Sequence, residues 1–214
     1  MTIVTHDMAT GSSLDRNRRE AFAVPGNVLD KRAVLAIDDA LRRAQVKPDA
    51  VLLFTSDPAI FAAQARLLED EAGAGSLLAS LRPVLQGAHA THLILASKYR
   101  HDAMLQFAHD KVGSGKLEGV GFYIDRTMRT RRGDTGEHAV GFLAPYAYFR
   151  LSLIDLATGQ VLRDVPVFAS VALSAARSAS GDAWDVMTPQ QKANAIEALI
   201  RQETARAIPD LIAP

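Results

Sequence analysis

The chain contains no cysteine. That excludes disulfides, thiolate metal sites, a cysteine nucleophile and a lipid-modified cysteine within these residues. It also lacks an excess of either charge, because 24 Lys and Arg balance 24 Asp and Glu. General attraction to nucleic acid or to an anionic membrane surface therefore has no electrostatic basis, and neither partner is expected. No apolar run approaches the roughly 18 residues of a membrane-spanning helix, so no membrane insertion is expected. The opening "MTIVTHDMATGSS" lacks the basic-then-apolar layout of a signal peptide. The expected location is the periplasm or envelope if a signal was removed, and the cytoplasm otherwise. No phosphate-binding G-x-x-x-x-G-K-[ST] loop and no G-x-S-x-G nucleophile elbow occur. No cofactor is expected.

What is present is ordinary globular material: 214 residues, 48% hydrophobic and 22% charged, enough for a core without a metal or disulfide staple. Residues 1–19 are polar and aperiodic and read as a flexible lead-in, with residues 20–214 as one domain. "EAFAVPGN" reads as a short first strand, Ala21 to Val24. In "LDKRAVLAIDDALRRAQ", Val34, Ile37 and Leu41 share one helical face, with Asn27 or Asp30 as cap. "VLLFTSD", bounded by Pro48 and Asp57, is wholly apolar at first and reads as a buried strand.

Residues 58–87 are helical in period, with Ile60, Phe61, Ala65 and Leu68 on one face and Leu77, Leu78, Leu81 and Leu85 on another. The "EAGAGS" break divides them into two helices. "THLILASKY" is the next strand, and strand–helix–strand spacing of this length implies a parallel crossover. "HDAMLQFAHDKVGSGKLEG" reads as a short helix or an irregular segment. "GVGFYIDRTM" and "PYAYFRLSLIDL" are strands, and their aromatics, Phe122 to Phe149, fall mainly on the core face. The chain closes with a helix capped by Thr188 with Pro189 at its first position.

In Asp155-Leu156-Ala157-Thr158-Gly159, the carboxylate bonds the turn backbone and the glycine takes positive φ, the chemistry of a short hairpin loop with a bulge. The expected architecture is α/β with an α+β tendency. It is a mixed sheet of five or six strands with one parallel crossover, an antiparallel meander, and helices mainly on one face.

The strand "THLILASKYR", the D-x-x-T-G-x-V hairpin in "LIDLATGQVL" and the closing "KANAIEALIRQ" resemble the α/β domain shared by the amino-terminal region of the TolB translocation protein and the curli-secretion lipoprotein. The resemblance covers Ala33 to Ile208. It implies a non-enzymatic component of a bacterial envelope assembly, although the lipid-anchor cysteine of such lipoproteins is missing here.

Three groups of residues bear on function. Ser56 and Asp57 end one expected parallel strand, and Ser97, Lys98 and Tyr99 end the next. The carboxyl ends of parallel strands are where open α/β sheets bind ligands, so these five could line a cleft, although Asp57 ahead of Pro58 also suits a helix cap. Arg126, Arg129, Arg131 and Arg132 crowd one hairpin loop, where guanidinium groups can grip phosphate or a partner's carboxylates. His6-Asp7, His101-Asp102 and His109-Asp110 offer histidine beside carboxylate. Adjacent residues on a helix point apart and an eight-residue separation spans about 12 Å, so no shared metal is expected. The leading reading is a non-enzymatic envelope or periplasmic protein that binds a protein partner, with a homo-oligomer left open. The alternative is a small-molecule binder or enzyme using the strand-end cleft.

Overall fold

The computed structural model describes residues 1–5, 18–22, 24, 28–44, 50–55, 57, 59–60, 62–63, 73–85 and 89–213. His6, Asp7, Asn27, Pro48, Ser56, Phe61, Ala65 and Leu68 lie outside them. In chain order the elements are β1 (Thr2–Thr5), β2 (Arg18–Ala21), α1 (Val28–Arg43), α2 (Gly73–Leu85), β3 (His92–Lys98), β4 (Arg100–Asp102), β5 (Leu105–Phe107), β6 (Asp110–Val112), β7 (Lys116–Arg131), β8 (His138–Asp155), β9 (Val161–Ser170), β10 (Leu173–Ser174) and α3 (Pro189–Leu211). The chain divides into two compact units. The first is Met1–Leu29, Lys98–Phe149 and Val167–Glu203, and the second is Asp30–Ser97, Arg150–Pro166 and Thr204–Pro214.

The first unit is built on the antiparallel pair β7 and β8, in register from Gly119 opposite Tyr148 to Arg131 opposite His138. Strand period 2 puts Phe142, Ala144, Tyr146 and Tyr148 on one face. They form a fully buried cluster with Leu105, Leu117 and Tyr123, joined by Phe107 and Val112 of the β5–β6 hairpin. Burying an aromatic of this size contributes about 1.5–3 kcal/mol, so these rings dominate the unit's stability. Phe122 points to the opposite face and meets the edge of Trp184, with ring centroids 5.6 Å apart. The register slips between Asp125 and Arg129. There Asp125 Oδ1 accepts from Thr127 N, Thr127 Oγ1 and Met128 N, which stabilises a bulge. Gly141 faces the bulge at φ +99, and a Cβ there would stand 2.5 Å from the Asp125 carbonyl oxygen.

Pro145 sits mid-strand, where a missing N–H normally breaks a ladder. Its carbonyl accepts from Val171 N at 3.3 Å. Both backbone groups of a strand residue face the same neighbour, so the missing donor faces the gap between β9 and β10, where the ladder is interrupted anyway. Pro166 is tolerated for a related reason, because β9 pairs only with β8 among the described residues and is an edge.

In the second unit, Leu93 and Leu95 of β3 pack with Ile60, Ala63, Leu77, Leu81 and Leu85. The β8–β9 hairpin closes as its sequence dictates. Asp155 Oδ1 accepts from Ala157 N, Thr158 N and Thr158 Oγ1, and Gly159 takes φ +74. Asp155 N also donates to the Gln160 carbonyl.

Among the described residues the expected parallel crossover is not evident. Val51–Thr55 is not a strand, and Val51 and Phe54 are 57% and 53% exposed. The strand β3 pairs with β8 instead. Its flanking bonds, Leu156 N to the Thr91 carbonyl and Tyr99 N to the Tyr148 carbonyl, make that pairing antiparallel. The sheet order is β10-β8-β7-β1-β2, with β3, β4 and β9 as branches. Among the described residues that is eight strands rather than five or six, and strand outweighs helix.

A parallel contact does occur where none was expected. β1 runs along β7 from Thr2 opposite Gly121 to Thr5 opposite Ile124, within the residues read as a lead-in. β2, expected at Ala21 to Val24, spans Arg18–Ala21 and pairs with β1. The segment read as helical or irregular after Tyr99 is instead three short strands. Gly113 and Gly115, both at positive φ, favour turns there over a helix.

Candidate functional site

The strand-end cleft loses its premise with the crossover. Ser56 is outside the described residues, Asp57 is exposed in the second unit, and Lys98 and Tyr99 belong to the first. Asp57 Oδ1 accepts from Ala59 N at 2.8 Å, the bond of a capping carboxylate. Ser97 is buried, and its hydroxyl has no hydrogen-bond partner among the described residues. Lys98 lays its aliphatic stem across Gly119, which has no side chain to obstruct it. Tyr99 stands in an aromatic group. Its ring centroid is 6.0 Å from His101 and 5.8 Å from Phe168, and His101 and Phe168 stack at 4.7 Å. Phe168 also meets the edge of buried Tyr148, whose hydroxyl accepts from Met104 N. Burial pushes the Tyr148 phenol above its ordinary pKa. Phe168 remains 42% exposed, so these rings both cover the end of the core and present aromatic surface.

The arginine cluster separates into two pairs. Arg126 lies 3.5 Å from Asp182. Arg132 makes a bidentate contact with Asp134, at 2.7 and 3.0 Å, and reaches Glu137 at 3.5 Å. The guanidinium holds the Asp134 carboxyl below its ordinary range. Arg132 is therefore paired within its own loop. The six residues between β7 and β8 are closed by Gly136 N donating to the Arg132 carbonyl and Arg132 N to the Glu137 carbonyl. That turn brings Asp134 and Glu137 onto the arginine's side. Arg129 and Arg131 differ: both are exposed, and neither meets a carboxylate among the described residues. The ladder sets them opposite Val140 and His138.

Sequence reasoning passed over the loop after β10. Asp182 Oδ1 accepts from Trp184 N at 2.8 Å, and Ser180 Oγ donates to Asp185 at 2.7 Å. The Lys192 amine lies 3.6 Å from the centre of the Trp184 ring, a cation–π contact. Burial lowers the Lys192 pKa, opposed by Asp185 and Asp182. The signal was the chain's single tryptophan, within reach of a lysine on the first turns of a helix. A shallow groove lined by His138, Ala139, Ala175, Ala176 and Ser178 runs beside this loop. No group of three or more His, Asp or Glu close enough to hold a metal occurs among the described residues. No described helix is long and apolar enough to cross a membrane.

No protein-family model, curated protein or solved structure matches the chain.

Proposed function

We propose that the chain is a non-enzymatic protein of the bacterial envelope that binds a protein partner through the exposed face of the β7–β8 hairpin. The observation that carries this reading is the isolation of Arg129 and Arg131. They are exposed, two residues apart on one strand, and without a carboxylate among the described residues. On a protein of zero net charge, such a pair is a local positive feature that steers an acidic partner. The non-enzymatic part is supported by the structural partners of three polar side chains, although the buried Ser97 hydroxyl is not among the partnered groups. Thr130 Oγ1 bonds Ser174 Oγ at 2.8 Å, Ser152 donates to Asp164 at 2.7 Å, and Asp125 holds the bulge. The envelope setting rests on the resemblance of the Asp155–Gly159 hairpin and the closing helix to envelope domains.

The test is affinity capture with the wild type and with the double variant Arg129→Ala, Arg131→Ala. A partner held by the first and lost by the second, at equal thermal midpoint, supports the reading. An identical set captured by both rules this surface out. Fractionation of the producing cells checks the envelope setting, which fails if the protein stays wholly cytoplasmic.

A further inference from the structure

We infer that the partner segment seated on this face is acidic and extended, with carboxylates at alternate residues that meet Arg129 and Arg131 together. This rests on the partner-binding reading and names the chemistry that the surface fits. Directly opposed residues on an antiparallel pair project from the same face. Arg129 opposite Val140 and Arg131 opposite His138 therefore form one exposed patch of four side chains. Thr130, between the arginines, points the other way. It is 3% exposed, and its hydroxyl bonds the Gly141 carbonyl at 3.0 Å and Ser174. That anchorage holds the strand still, so the two arginines leave the ladder from Cα positions about 7 Å apart, the repeat of alternate strand residues, with the Arg131 guanidinium lying over Gly136 at the turn end of the patch.

An extended segment presents its own alternate side chains at the same repeat, and one carboxylate meets each arginine in register. Adjacent carboxylates would point to opposite sides of such a segment, and only one would engage. Val140, 54% exposed, offers apolar surface for the aliphatic stems of the incoming acidic side chains. The arginines that could compete are occupied: Arg126 by Asp182, and Arg132 by Asp134 and Glu137. A nucleic-acid strand fits less well, because the chain carries no net positive charge to hold a phosphate backbone.

The experiment is fluorescence anisotropy on the full chain with three labelled probes. They are a Thr-Glu-Thr-Glu-Thr peptide, its isomer Thr-Glu-Glu-Thr-Thr, and a short oligothymidylate. The alternating peptide should bind at least about threefold tighter than the isomer. Arg129→Ala and Arg131→Ala should each weaken it by roughly two- to fivefold, the range of exposed ion pairs. Added salt should weaken it further. Equal binding of the two peptides, tighter binding of the oligothymidylate, or no binding of the alternating peptide at millimolar protein overturns the inference. If captured partner is still lost in the double arginine variant while the two peptides bind alike, the partner surface stands and only its alternating chemistry falls.

Discussion

Two glycines with positive φ show how unequal the same backbone preference becomes once packing is added. Gly159 needs its conformation to close the β8–β9 turn, but a Cβ there would meet only Leu78 Cδ1, at 3.3 Å. Gly141 combines φ +99 with a carbonyl oxygen 2.5 Å from its would-be Cβ. Gly159→Val should cost about 1 kcal/mol or more through backbone strain. Gly141→Ala should cost more, roughly 2 kcal/mol or above, since the Asp125 bulge must move. Urea denaturation of both variants checks the order, and a reversed order would show that the bulge yields easily. Asp155 supplies a pH test. Its carboxyl is held below the ordinary range, chiefly by bonds from the Thr158 backbone and hydroxyl. A carboxylate with a depressed folded-state pKa stabilises above its unfolded value, and that contribution is lost as pH falls through the folded value. Wild type should therefore exceed Asp155→Ala in thermal midpoint at neutral pH, with the gap closing below about pH 4. A gap independent of pH would locate the effect in packing.

The closing helix and its approach form the most legible element. Thr188 Oγ1 accepts from Gln191 N at 3.2 Å, while Gln191 Oε1 accepts from Thr188 N at 2.8 Å, a reciprocal capping box. Thr188→Ala should cost about 1 kcal/mol, read as a lower thermal midpoint by circular dichroism. One turn into the helix, Lys192 lies over Trp184, which in turn meets Phe122 of β7. Since Trp184 is the chain's single tryptophan, selectively excited tryptophan emission reports the surroundings of this one ring, Lys192 among them. Lys192→Met should change the emission intensity of the folded protein while leaving that of the denatured protein unchanged. An unaltered folded spectrum would mean the amine does not occupy that position in solution. The hairpins after Tyr99 were harder to read. Their strands are three residues each, too short for a period of 2 to be distinguished from a helical one.

At the scale of the whole chain, neutrality conceals local imbalance. The charges sum to zero, yet Arg129 and Arg131 stand apart from the carboxylates that serve Arg126 and Arg132. Any association through that face should weaken as ionic strength rises from about 0.05 to 0.5 M, with most of the loss in the association rate. Surface plasmon resonance with the captured partner measures both rates, and a salt-independent association rate would place the contact on the Tyr99, His101 and Phe168 rings instead.

Local sequence determined what local chemistry can carry: the apolar face of α1, the turn at Asp155 to Gly159, the cap at Thr188, and the aromatic alternation that buries Phe142, Tyr146 and Tyr148. Each depends on side chains a few residues apart. Strand pairing joins residues far apart, and the same apolar run suits either neighbour order. Hence β3 reads equally well as the product of a crossover and as the antiparallel neighbour of β8 that it is. The arginines follow the same division. Their density is a property of residues 126–132, but which of them is neutralised depends on where the turn places Asp134 and Glu137, and on Asp182 arriving from more than fifty residues away. Tertiary structure alone decided that, because an ion pair is set by distance in space and not by separation along the chain.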